Sequence, residues 1–310
     1  MKAIASFTFA WLVLSLTEAP AVIIASGSGN SSAPAGPADP GWSHVAWSQN
    51  GASAVYLGGG WVITAAHVGA APISFTGDPL SGPGPVYGVV PGTAVTLTNN
   101  SAPLKSAFTD LVVFQIHGDP GLPPLNISPS PAPALSQVTL IGTGRDRVLP
   151  LTVWDVDNST SPAWTWTTPA TNPGLPDFAG YAWDATRTKR WGTNNYKAAS
   201  GFEFDGFADV MGFRTTFNNN VLLPNEAQGA TGDSGSAVFY NNGGSWELSG
   251  ITLAVSRFSG QPGDTAVYGN DTFMADLSSY RGQILAIIPE PGSGALAALA
   301  VLGLLRRRRA

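Results

Sequence analysis

Three short segments of this 310-residue chain carry the side chains that acyl transfer needs. Ser234 lies in Ala230-Thr231-Gly232-Asp233-Ser234-Gly235-Ser236. Hydrolysing an amide near neutral pH takes an activated nucleophile, a base to remove its proton, and donors for the developing oxyanion. Glycines flanking a serine allow a tight turn at positive φ and let a substrate carbonyl approach the backbone. Such a turn can aim the N–H groups of Gly232 and Ser234 at one point, as an oxyanion hole. By itself, Gly-Asp-Ser-Gly also fits an ordinary turn.

A serine hydroxyl attacks poorly until a histidine takes its proton, and that histidine needs an acid to fix its tautomer. The chain holds 3 histidines. His67 follows the apolar run Val62-Ile63-Thr64-Ala65-Ala66 and so stands at a strand end, where a cleft could lie. His44 and His117 suit a surface or satisfied core position. Asp110 opens Asp110-Leu111-Val112-Val113-Phe114-Gln115-Ile116. A carboxylate against a buried strand is costly unless paired. Asp110 reads either as a turn residue capping the strand or as the acid that orients His67.

The elements that must position these residues read as strands. Gly (37) and Pro (25) are abundant and charged residues make up only 11%, which favours a turn-rich all-β chain. Ser53 to Leu57 and Trp61 to Ala65 flank Gly58-Gly59-Gly60, a hairpin pattern. Strands are also expected at Val86 to Val90, Ala94 to Thr98, Leu111 to Ile116, Gln137 to Ile141 and Leu151 to Val156. Later ones are expected at Gly206 to Thr216, Ser236 to Tyr240 and Trp246 to Val255, the last two joined through Asn241-Asn242-Gly243-Gly244. The Pro-rich run Asp119 to Ser136 divides them into two groups, about 42–118 and 137–288. Trp164 to Asn195 reads as a long decorated loop with one strand, and Asp276 to Ile288 as a helix.

The ends differ from the body. Met1 to Ala21 has a lysine, an apolar stretch and Ala19-Pro20-Ala21, the pattern of a cleavable export signal. Residues 22–41 read as a flexible linker, with Ser26 to Gly41 rich in Gly, Ser, Pro and Ala. Residues 22–288 hold 10 Lys and Arg against 18 Asp and Glu, a net −8. An acidic body without a basic patch argues against nucleic-acid binding. The chain has no cysteine, which excludes thiolate catalysis and Cys-ligated zinc. No acidic cluster indicates calcium, and neither a metal nor another cofactor is expected. At 289–310, Pro-Glu-Pro-Gly precedes an apolar stretch and four arginines. This order resembles the PEP-CTERM sorting tail of certain Gram-negative bacteria. The resemblance implies transient anchoring in the inner membrane, recognition by an exosortase, and delivery to the cell surface or an extracellular polysaccharide matrix.

Thr64-Ala65-Ala66-His67, Asp110-Leu111-Val112-Val113 and Gly232-Asp233-Ser234-Gly235 together resemble the chymotrypsin-like serine proteases in order and rough spacing. The resemblance spans roughly residues 45–288. Gly142-Thr143-Gly144, Ser249-Gly250-Ile251, Ala266-Val267-Tyr268 and the closing helix extend it. It implies an all-β fold of two six-stranded antiparallel barrels with a C-terminal helix. It also implies Ser234 as nucleophile, His67 as base and then acid, and Asp110 as orienter, acting on a protein or peptide substrate.

The chain departs from that pattern in two places. The Arg-Ile-Val-Gly-Gly activation site is missing, so either the domain is active without that cleavage or another cation, an Arg or Lys, stabilises Asp233. The expected substrate-facing residues are Leu253, Ala254 and Val255, where the family usually shows a serine, an aromatic residue and a glycine. Gln228 stands where a trypsin would carry an aspartate, so cleavage after basic residues is not expected. Small or medium uncharged side chains are. A non-catalytic surface or matrix protein on the same fold is an alternative reading, and an esterase with the same triad is another.

Overall fold

The computed structural model describes residues 22–25, 30–99, 102–160, 162–197, 200–219, 223 and 225–288. The expected export signal and sorting tail lie outside these. One short strand, β1 (Ile23–Ile24), precedes two groups of strands. The first group is β2 (Val45–Ser48), β3 (Ala52–Gly58), β4 (Trp61–Ala65), β5 (Ile73–Ser74), β6 (Val95–Thr98) and β7 (Phe108–Gln115). The second begins with β8 (Gln137–Gly142), β9 (Arg145–Arg147), β10 (Thr152–Asp157), β11 (Thr165–Thr167), β12 (Phe178–Arg187) and β13 (Arg190–Asn195). It continues with β14 (Gly201–Phe204), β15 (Asp209–Thr216), β16 (Ala227–Gln228), β17 (Ala237–Asn242), β18 (Ser245–Val255), β19 (Thr265–Val267) and β20 (Asp271–Asp276), and ends in helix α1 (Leu277–Ile287).

The first group forms a six-stranded sheet in the order β5-β2-β3-β4-β7-β6. Two further sheets come from the second group. One has seven strands in the order β13-β8-β17-β18-β20-β15-β14, and the other joins β11-β10-β12-β19 with β9 on β12. All these pairings are antiparallel. The chain is thus mostly β with one C-terminal helix. The sheets are open, in place of the two closed six-stranded barrels expected. In the first sheet the strand expected at Val86 to Val90 supplies only single bridges, Tyr87 to Ile73 and Val89 to Ile116. Pro83, Pro85 and Pro91 surround it, and proline gives a ladder no N–H.

Two more expectations change. Trp164 to Asn195 holds three strands rather than one, with β13 paired along its whole length to β8. The start of the expected linker is a structural element: Val22, Ile23 and Ile24 are buried, and β1 pairs with β16. The following stretch is partly shaped too, since Asp39 accepts the N–H groups of Gly41 and Trp42.

The six- and seven-stranded sheets share one core. Val45, Val55, Ile63, Leu111 and Val113 of the first sheet pack with Ile141, Phe239, Leu248, Ile251 and Phe273 of the seven-stranded one. Leu277, Tyr280 and Ile284 of α1 complete it. Asp276 caps that helix by accepting the Ser278 N–H at 3.0 Å. The proline-rich connector is stitched to both sheets: Leu125 N–H donates to Leu57 and Ser128 N–H to Leu248. The strand ends carrying Asp110 and His67 therefore meet the turn carrying Ser234 across a packed interface.

Candidate active site

The turn from Thr231 to Gly235 lies between β16 and β17. Gly232 and Gly235 have φ of +94° and +84°, a region that side chains rarely adopt. A Cβ on Gly235 would stand 2.1 Å from Thr64 Oγ1 and 2.2 Å from the Ser53 carbonyl oxygen, so only glycine fits. The first sheet grips this turn through Ser53. Its N–H donates to the Ser234 carbonyl at 2.9 Å, and its hydroxyl donates to the Gly232 carbonyl at 3.0 Å. Among the described residues, neither Gly232 N–H nor Ser234 N–H is given to a protein acceptor.

Asp233 points the other way, into the protein, and is 1% exposed. Its carboxylate accepts the N–H groups of Gly144 and Ala230, each at 2.8 Å. A Cβ on Gly144 would come within 2.5 Å of the Asp233 Cγ, which explains the glycines of Gly142-Thr143-Gly144. Burial pushes the Asp233 carboxyl up to about 7, against the two N–H bonds and the Arg187 charge that pull it down. Arg187 is thus a nearby charge, and the direct partners of Asp233 are backbone. The Arg187 guanidinium bonds the carbonyls of Thr143 and Ala52 at 2.9 and 3.1 Å, and pairs with Asp78 at 3.4 Å.

Asp110 and His67 form a pair. Asp110 is 2% exposed, at the inner end of β7. Its Oδ1 accepts the His67 backbone N–H at 2.7 Å, and its Oδ2 meets His67 Nδ1 at 2.5 Å. The carboxylate thus sets both the backbone and the ring of His67. Tyr280 of α1 braces the strand next to it: Thr109 donates to the phenol oxygen at 3.2 Å, as does Met211 N–H at 2.8 Å.

His67 and Ser234 line one cavity of about 180 Å³ with Phe207, Ala230, Thr231, Gly232, Thr252, Leu253, Ala254 and Val255. The Ser234 hydroxyl donates to the Leu253 carbonyl at 3.2 Å. Leu253, Ala254 and Val255 thus line the cavity that holds His67 and Ser234. Gln228 does not. It lies in β16, paired with Ile23, is fully buried, and is absent from the cavity wall. Counting back from Ser234 places a residue along the chain, but β1 pairs over β16 and covers it.

Ser53, Arg187, Asp205 and Phe207 were missed. Ser53 and Arg187 act through backbone carbonyls, which no side-chain pattern signals. Phe207 sits between β14 and β15, and its ring stacks on His67 with centroids 4.0 Å apart and planes 10° from parallel. The expected strand Gly206 to Thr216 begins instead at Asp209, leaving Asp205 to Ala208 as a hairpin tip.

Residues 288–309 match the PEP-CTERM protein-sorting motif. The match covers the tail and marks this as an exported protein that an exosortase sorts to the cell surface. Among the described residues, no helix is long and apolar enough to cross a membrane. A search of curated proteins finds no match to the chain.

Proposed function

We propose that this exported protein is a serine endopeptidase of the chymotrypsin-like kind, with residues 42–288 as its protease domain and its two strand groups as counterparts of that family's barrels. The observation that carries the reading is the meeting of three chain-distant motifs at one cavity. His67 is held by Asp110 at 2.5 Å, Ser234 shares its cavity wall, and the Gly232 and Ser234 N–H groups are free to receive charge.

In this mechanism the Ser234 hydroxyl turns from the Leu253 carbonyl toward His67 Nε2, which takes its proton as Oγ attacks the substrate carbonyl carbon. The oxyanion accepts the N–H groups of Gly232 and Ser234. His67 then protonates the departing amine and leaves an acyl-Ser234, which water hydrolyses with His67 again as base. Asp110 keeps Nδ1 as the donor and stabilises the imidazolium. The apolar walls Ala230, Leu253, Ala254 and Val255 and the small cavity favour small or medium uncharged side chains. The preceding stretch 1–21 is proposed as an export signal, and polysaccharide at the cell surface as a non-substrate partner.

The test is cleavage of a peptide library by the purified protein. Ser234→Ala and His67→Ala abolish cleavage, and Asp110→Asn lowers turnover ~10⁴-fold, as when the acid of such a triad becomes an amide. Cleavage that survives Ser234→Ala would overturn the assignment. A non-catalytic surface protein on the same fold is the second reading. It is favoured by the Ser234–Leu253 bond and by the Phe207 ring that covers His67.

A further inference from the structure

The tip of the β14–β15 hairpin, Asp205-Gly206-Phe207-Ala208, reaches both members of the Asp110–His67 pair. Phe207 stacks on the imidazole. Asp205 Oδ1 accepts the N–H groups of Phe207 and Ala208, both at 2.8 Å. These two bonds fix the carboxyl group. Its other oxygen, Oδ2, is buried, and no donor among the described residues reaches it. The side chain meets the Asp110 carboxylate instead. The base of the hairpin is tied to the loop between β6 and β7, where Asp209 accepts the Ser106 N–H at 2.8 Å and pairs with Lys105 at 3.3 Å.

Two carboxyl groups in contact cannot both ionise cheaply, so one proton is held between them. The donors decide where it sits. Both Asp110 oxygens already meet nitrogens of His67, the backbone N–H at 2.7 Å and Nδ1 at 2.5 Å. Asp205 Oδ1 is likewise occupied, which leaves Oδ2 to carry the proton. Burial pushes the Asp205 carboxyl up to about 6, the Asp110 charge adds to this, and the two N–H bonds oppose it. The other charged or titratable groups around Asp205 are His67, Tyr280 of α1, and Arg214 and Asp271. Arg214 is taken up by Glu203 and Asp271 and gives Asp205 no counter-charge.

We propose that Asp205 is a positioning residue of the reaction: its protonated Oδ2 donates a hydrogen bond to the Asp110 carboxylate and, with Phe207, locks the Asp110–His67 pair in place. This rests on the endopeptidase reading for its effect on turnover. When pH rises past about 6, Asp205 loses the proton, two anions face each other, and the lock weakens.

The test compares Asp205→Asn and Asp205→Ala with the parent protein. An asparagine oxygen still accepts the two N–H groups, and its amide donates to Asp110 at every pH. Below pH 6, where Asp205 keeps its proton, Asp205→Ala lowers kcat roughly tenfold with KM within about twofold, and Asp205→Asn restores most of that loss. In NMR titrations the Asp205 carboxyl carbon of the parent titrates near pH 6, and the Phe207 and Ala208 amide signals that its oxygen accepts follow it, a shift that Asp205→Asn lacks. Equal kcat losses in both variants, or an Asp205 carboxyl that titrates in the ordinary aspartate range, would overturn the proposal. If Asp205→Ala fails to fold, Asp205→Asn against the parent decides it. If the parent cleaves no peptide, the endopeptidase reading falls, while the NMR comparison still shows whether Asp205 holds the proton.

Discussion

Asp233 concentrates the electrostatic tension of this molecule at one residue. It is fully enclosed, yet both its oxygens face N–H donors that favour the anion. Its folded pKa is raised to about 7, whereas an unfolded aspartate titrates near ~3.9. A carboxyl raised on folding contributes stability that is full below the unfolded pKa and lost as pH rises through the folded one. Asp233→Asn isolates this contribution because it cannot ionise. The parent's stability advantage over Asp233→Asn should therefore shrink between pH 5 and 8, by up to about 2–3 kcal/mol, in urea unfolding at each pH. An advantage that grows with pH would contradict this. Gly144 gives a steric counterpart. A methyl group there meets the Asp233 carboxyl, so Gly144→Ala should cost about 1–3 kcal/mol and slow peptide cleavage through displacement of the Ser234 turn.

Among the elements, β1 and the β14–β15 hairpin matter most and were least legible. Val22-Ile23-Ile24 reads from the sequence as the start of a flexible linker. Only its pairing with β16, and the packing of Ile23 against Tyr181, Trp183 and Phe217, reveals a strand. Ile23→Asp should lower stability by about 3 kcal/mol or more in urea unfolding, because it buries an unpaired charge. The hairpin tip looks like any Asp-Gly turn, and nothing in its composition says that it lies over His67. Strands β3, β4, β7, β17 and β18 were legible because β-branched and apolar runs end at glycine or asparagine turns. Strands β11 to β13 were not. Their faces mix tryptophan with Asp, Arg, Thr and Asn, and their pairing comes from distant partners such as β8 and β19.

Across the whole molecule, the core shared by the six- and seven-stranded sheets brings chain-distant His67 and Ser234 to one cavity. Asp110 and His67 follow directly from the ends of β7 and β4, and Ser234 from its glycines. What the motifs could not show is the sheet closure. The prolines around Tyr87 reduce a strand to single bridges, and the expected barrels are open sheets. Because Phe239, Ile251 and Ile63 belong to one cluster, the six- and seven-stranded sheets should unfold together. Tryptophan fluorescence and far-ultraviolet circular dichroism should then give one coincident transition. Phe239→Ala should shift it by about 3–5 kcal/mol without splitting it. Two separate transitions would show that the sheets are independent.

The central claim is that Ser234 is an activated nucleophile. It is tested most directly by treating the purified protein with a fluorophosphonate and locating the adduct by peptide mass spectrometry. One adduct per chain is expected, on Ser234, lost in Ser234→Ala and strongly slowed in His67→Ala. A folded parent that takes up no label, or carries it on another residue, would contradict it.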